Sequence, residues 1–151
     1  MNRVTVTTGA LVLLAGMITA AVGVGAAADP IKVRQALMMS QGVHLGALGA
    51  IAKGEAPYTD LANGHAFAVL KISQALTSMF PEGSGLGDTR AKPEIWSDWA
   101  KFEQAAADLE TAAAKLIEAT KGGEPGAIGA ALGEVGGACG GCHKPFRAEK
   151  N

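Results

Sequence analysis

The sequence predicts an all-α chain folded as an antiparallel up-down-up-down four-helix bundle. Three observations predict it. Beyond residue 28 the chain is rich in alanine, with few β-branched stretches and no period-2 alternation. Four segments carry their apolar residues at steps of three and four, the spacing of one helix face. Glycine- and proline-rich breaks, mostly short, separate them, and helices joined by short connections pack as antiparallel neighbours. No internal repeat is visible.

The first helix is expected from about Asp29 to Lys53. Asp29 is a capping residue and Pro30 suits a first turn. Ile31, Arg34, Met38, Gln41, Leu45, Leu48 and Ala52 mark one face, and Gly54 to Pro57 end the helix. The second is expected from about Asp60 to Met79. Its stripe is Ala62, Ala66, Val69, Ile72 or Ser73, Leu76, and Met79 or Phe80. Pro81 with Gly83, Gly85 and Gly87 then makes a loop reaching about Pro93. The third runs from near Pro93 to Lys121, where Gly122-Gly123 stops it. Ile95, Trp99, Phe102, Ala106, Leu109, Ala113, Leu116 and Thr120 give it the cleanest periodicity in the chain. The fourth runs from Glu124-Pro125 to about Arg147. Ile128, Leu132, Val135, Cys139, Cys142 and Phe146 share its stripe, so both cysteines face the same side as the core residues.

Residues 1–28 are expected to lie outside this fold. Asn2-Arg3 gives a positive start, Leu11 to Val24 is apolar and alanine-rich, and Ala26-Ala27-Ala28 is a small-residue cleavage pattern with the cut before Asp29. The segment reads as a cleaved Sec-type signal peptide. An uncleaved membrane anchor is the alternative, against which the apolar run is short and its side chains small. No other long apolar run follows, so the mature chain is expected not to insert stably in a membrane. Residues 29–151 suffice for one domain. With Arg3 removed, Lys plus Arg falls from 13 to 12 against 14 Asp plus Glu, a net of −2. That balance excludes a nucleic-acid partner, which needs a basic surface.

The chemistry sits at Cys139-Gly140-Gly141-Cys142-His143, a C-x-x-C-H sequence. This is the attachment signature of c-type haem. Two thiols add to the two porphyrin vinyl groups as thioethers, and the following histidine becomes the proximal iron ligand. Gly140 and Gly141 add no bulk where the chain hugs the macrocycle. Half a zinc site is disfavoured because no second cysteine pair exists. A redox dithiol opens a helix after a strand, and no such pattern precedes this one. A disulfide in an exported protein remains open. Haem attachment and the export signal agree on one compartment, the bacterial periplasm.

With these residues in view, the chain resembles a class II cytochrome c, the cytochrome c′ family. The resemblance covers the mature chain. It rests on the carboxyl-terminal C-x-x-C-H followed by Phe146-Arg147, and on Val33-Arg34-Gln35-Ala36-Leu37-Met38. Leu48-Gly49-Ala50-Ile51-Ala52-Lys53-Gly54-Glu55 and Pro93-Glu94-Ile95-Trp96 add to it. It implies one haem c, covalent through Cys139 and Cys142, in a periplasmic protein of energy metabolism, often a homodimer through its first two helices. Some members of the family leave the sixth iron site open behind an apolar residue; others fill it with a methionine sulfur. Both use the position four residues after the arginine of the first helix, here Met38. Leu48 to Glu55 resembles the methionine-ligated branch more, so Met38 is expected to join His143 as a metal ligand. A flexible core methionine is the alternative.

Three further residues are expected at the cofactor. Arg34 is a charge in an apolar stripe and needs a partner; the resemblance implies a haem propionate. Arg147, one turn after His143, resembles the family's proximal arginine. Trp96 is expected either to donate its indole N–H near a propionate or to belong to the ordinary core. His44 and His65 are expected at the surface or partly packed, away from the iron. No distal His-Arg pair suggests a peroxidase, and no enzyme activity is expected. The expected function is an electron carrier serving periplasmic redox proteins. The alternative is a five-coordinate protein that binds or sequesters nitric oxide or carbon monoxide.

Overall fold

The structure is a computed structural model that describes residues 28–149. Residues 1–27, nearly all of the expected signal peptide, lie outside the described residues.

Helix α1 spans Pro30–Ala52. Its first turn is capped by Asp29, whose Oδ1 accepts the Ile31 N–H at 2.9 Å, and Pro30 occupies the position where no N–H is needed. Arg34, Gln41, Leu48 and Ile51 are buried, and Leu37, Met38 and Leu45 are half-buried against the core. Gly54 closes the helix at φ 72°, the left-handed conformation that a glycine adopts without strain.

Helix α2 is shorter than its apolar stripe suggests, covering Ala62–Gln74. A 3₁₀ turn, Thr59–Leu61, precedes it and another, Thr77–Met79, follows. The reason lies in the hydrogen bonds. Ala75, Leu76, Met79 and Phe80 each donate to the carbonyl three residues back, at 3.1–3.2 Å. This tighter winding brings Leu76, Met79 and Phe80 all into the core before Pro81 ends the run. The alternatives along the stripe resolve accordingly: Ser73 is buried with Ile72 half-buried, and Met79 and Phe80 are both buried.

The expected third helix is two helices. Glu94–Ser97 forms the short α3 and Trp99–Lys121 the long α4, separated by Asp98 at φ −130°, ψ 58°. The side-chain pattern does not register this break, because a single non-helical residue leaves Ile95 and Phe102 both buried. What holds α3 out of line is Trp96, whose Nε1 donates to the Phe80 and Pro81 carbonyls at 3.1 and 3.2 Å. Helix α5 spans Pro125–Phe146. Pro145 lacks the N–H that a continuing helix would use, and the helix ends one residue beyond it.

Helix α1 packs on α2 and α5, and α4 packs on the same two, so the four long helices close a ring around one core. Leu48, Leu76, Ile95, Phe102, Leu116, Ile128 and Val135 are its most completely buried large side chains. Phe102 sits at the hub of the aromatic part, edge-on to Phe80 and Phe146, with Trp99 beside it. Among the described residues no strand is present. A single antiparallel bridge, Ala91 with Arg147, fastens the loop after Pro81 to the end of α5.

That loop is ordered by specific contacts. Gly83 and Gly87 take φ of 80° and 112°. A side-chain Cβ at Gly85 would lie 2.7 Å from Cζ3 and 3.0 Å from Cη2 of Trp96, so the indole ring lies directly on this glycine. Gly85→Val is therefore expected to lower stability by about 1–3 kcal/mol. In urea titration the midpoint would fall with the slope unchanged.

Candidate haem site

The two thiols come from one helix. Cys139 and Cys142 stand three residues apart on α5, which places them on one face, and that face packs against the bundle core. Both are free and half-buried. Leu37, Met38 and Leu45 of α1 pack against the same apolar cluster as the two thiols. Burial pushes both thiols up. Cys142 is raised to about 11, with Cys139 adding to the effect and Arg147 opposing it. Cys139 rises less far, opposed by a backbone hydrogen bond and by Arg147. Redox dithiols and zinc sites need thiolates. These surroundings keep the thiols protonated and disfavour both uses.

His143 follows Cys142 directly and is half-buried. Burial lowers its imidazole from the ordinary value, and the charges of Arg147 and Arg90 lower it further. Both effects favour the neutral imidazole, the form that ligates metal. Arg147 lies near enough to act on the motif, although its own side chain is exposed. Arg90 is a residue that sequence reasoning missed. It has no spacing relation to the motif. The bridge brings it there: Ala148 N–H donates to the Arg90 carbonyl at 2.8 Å and Lys92 N–H to the Phe146 carbonyl at 3.0 Å. The Lys144 carbonyl accepts from Lys92 Nζ at 3.3 Å.

Arg34 is only 3 % exposed. The partners its position demands are neutral oxygens of the loop. Nη1 donates to Ser84 Oγ at 2.9 Å, and Nη2 donates to the Ser84 carbonyl at 2.7 Å and to Thr89 Oγ1 at 2.6 Å. Its guanidinium also lies 4.9 Å from the centroid of the Phe80 ring. Burial lowers the guanidinium from its usual value and Asp29 acts in the opposite direction. Arg34 therefore ties α1 to the loop. Arg34→Met leaves three acceptors to find new donors and is expected to lower stability by about 2–4 kcal/mol in urea unfolding of the holoprotein. Trp96 lies at the same loop. Its N–H is committed to Phe80 and Pro81, and it lines an open groove with Phe80, Pro81, Glu82 and Trp99 that includes none of the motif residues. The reading of Trp96 as ordinary half-buried core fits this geometry better than donation beside the cofactor.

The residues fit a covalently held haem. Two thiols on one core-facing side of α5 and a histidine directly after the second form the set that c-type attachment uses. Met38, Cys139 and Cys142 all pack against the one hydrophobic core of the bundle, and the charge of Arg147 acts on both thiols and on His143. Arg34 and Trp96 sit at the loop.

Comparison with known proteins agrees. Residues 29–147 match the family model described as Cytochrome C′. The chain is 37% identical over 118 residues to cytochrome c′ of Pararhodospirillum photometricum, covering 78% of this chain and 94% of that protein. It is 35% identical over 155 residues to cytochrome c-556 of Rhodopseudomonas palustris, covering 97% of each. Among solved structures, a nitric oxide complex of a mutant cytochrome c prime from Alcaligenes xylosoxidans superposes with a TM-score of 0.74 at 32% identity, covering 81% of this chain and 95% of that one. The helical ring, the thiol pair on its inner face and these likenesses lead to one conclusion: the chain belongs to the cytochrome c′ family and is a monohaem c-type cytochrome, its single haem c covalent through Cys139 and Cys142.

Proposed function

We propose that this cytochrome is a periplasmic electron carrier in which His143 and Met38 would both ligate the haem iron. The observation that carries the reading is the position of Met38. It packs against the hydrophobic core, as the two thiols do, from a helix that neighbours theirs, and the family resemblance implies that this position faces the sixth iron site. Haem c, when bound, supplies a one-electron couple between ferric and ferrous iron. The protein's part is to tune and present that couple. His143 offers a neutral nitrogen. Met38 offers a soft, uncharged sulfur, which favours the ferrous state and raises the potential. The core residues Leu48, Phe102, Ile128 and Val135 build the water-excluding interior against which Met38, Cys139 and Cys142 pack. Redox partners would meet an exposed haem edge through small, transient contacts. Export to the periplasm rests on the signal-like residues 1–28, and no helix among the described residues is long and apolar enough to cross a membrane. A homodimer through α1 and α2 is what the family resemblance implies.

The test is the optical spectrum of the purified holoprotein, ferric and ferrous, with and without carbon monoxide. Low-spin spectra that carbon monoxide leaves unmoved are expected. A high-spin ferrous spectrum that shifts on adding the gas would contradict the carrier reading. It would favour the second one, a five-coordinate protein that binds nitric oxide or carbon monoxide. One observation speaks for that second reading: the Alcaligenes xylosoxidans relative is a nitric oxide complex.

A further inference from the structure

Outside the haem site, one pair of metal-binding side chains meets across two helices. His44 of α1 and His65 of α2 bring Nδ1 within 2.9 Å of Nδ1, with ring centroids 5.2 Å apart and planes inclined by 55°. Both residues are half-buried. Two imidazole nitrogens this close repel unless something lies between their lone pairs, so in the metal-free chain one Nδ1 carries a proton and the other accepts it. The helices are not free to separate and relieve the contact. One turn before His44, Gln41 is buried and donates to Ser73 Oγ at 3.2 Å and to the Val69 carbonyl at 3.5 Å, which pins α1 to α2 at this level. Neither histidine belongs to the C-x-x-C-H motif.

We propose that His44 and His65 form a metal site of their own, binding a divalent late transition-metal ion through both Nδ1 atoms, with Cu²⁺ bound most tightly. Neutral imidazole is the commonest protein ligand for such ions. The separation selects the geometry. With metal–nitrogen bonds of about 2.0–2.1 Å, neighbouring donors of a square plane lie about 2.9 Å apart and those of a tetrahedron about 3.3 Å apart. The observed 2.9 Å fits the square edge, which suits Cu²⁺ or Ni²⁺ better than Zn²⁺, and copper stands above nickel in the general order of affinity. At present the two Nδ1 atoms lie nearly on the line joining the ring centroids. At a square edge each lone pair points about 45° off that line, so binding requires both rings to turn about χ2, a broad and soft torsion, with the two Nδ1 atoms kept near their present separation. The metal displaces the Nδ1 proton of the donor histidine, whose Nε2 takes up a proton from solvent, so both ligands are neutral imidazoles and no net proton is released. No third His, Cys, Asp or Glu stands close enough to make a larger donor group among the described residues, so water completes the coordination sphere.

The test is titration of the ferric, tag-free holoprotein with CuCl₂, followed by calorimetry and electron paramagnetic resonance. In this protein both cysteines are thioethers and do not compete. One Cu²⁺ per chain is expected, with a tetragonal signal coupled to two imidazole nitrogens. His44→Gln and His65→Gln should each weaken binding at least tenfold while leaving the haem spectrum, the report of an intact fold, as in the parent. ZnCl₂ should bind at least tenfold more weakly than CuCl₂. Substoichiometric copper, a signal coupled to fewer than two nitrogens, or either variant binding as tightly as the parent would overturn the site. Zinc binding as tightly as copper would overturn the square geometry.

Discussion

Holoprotein carrying Met38→Ala is expected to turn high-spin, to take up carbon monoxide when reduced, and to show a lower reduction potential. The sulfur of Met38 is the only soft uncharged donor that α1 presents to the cluster containing Cys139 and Cys142, because Met39, its neighbour, is 72% exposed and lies about 100° round the helix. Removing that donor takes away a group that favours ferrous iron. The expected fall in potential is on the order of a tenth of a volt, a modest part of the roughly 0.8 V that axial ligands command. Alanine also deletes packing volume, so Met38→Leu is the sharper form of the test. Leucine fills the site at a cost below about 1.5 kcal/mol and cannot ligate. Both variants should be high-spin. A low-spin Met38→Leu protein with an unchanged potential would mean that Met38 is core packing only.

The doubly substituted chain Cys139→Ala, Cys142→Ala is expected to carry no covalently attached haem, and the loss should be complete. Extraction with acidified acetone, followed by mass measurement of the chain, reads this directly. The physical ground is that both thiols share one inward face of α5 and no other cysteine exists in the chain to substitute for them. A chain that retains haem through extraction would refute attachment through these sulfurs. Because both side chains are small and half-buried, the bundle itself should survive the change to alanine, which separates lost attachment from lost folding.

Much of this architecture is written in the local pattern of the sequence. The stripes of α4 and α5 are legible because nearly every residue named in them is buried or half-buried as expected, from Phe102 to Thr120 and from Ile128 to Phe146. The motif is legible because thioether attachment requires its residues to be contiguous. What escapes the pattern depends on contacts between distant segments. The break at Asp98 leaves hydrophobic spacing intact and follows from the hold of Trp96 on the Phe80 and Pro81 carbonyls. The tightening of the chain after Gln74 answers to burial of Leu76, Met79 and Phe80, which a helix of constant pitch would have spread round its surface. Arg34 was legible as a buried charge but not by its partners, because Ser84 and Thr89 lie some fifty residues away. Arg90 reaches His143 only through the bridge between Ala91 and Arg147. His44 and His65 belong to different helices, and no spacing in either one announces that their rings meet.

The central claim is that Met38 sulfur is the sixth ligand of the iron. The measurement that addresses it most directly is near-infrared magnetic circular dichroism of the ferric holoprotein, where a methionine sulfur on haem iron gives its own charge-transfer band. The account predicts that band in the parent protein and its disappearance in Met38→Leu. A parent spectrum without the band, or a Met38→Leu spectrum that keeps it, would contradict the account.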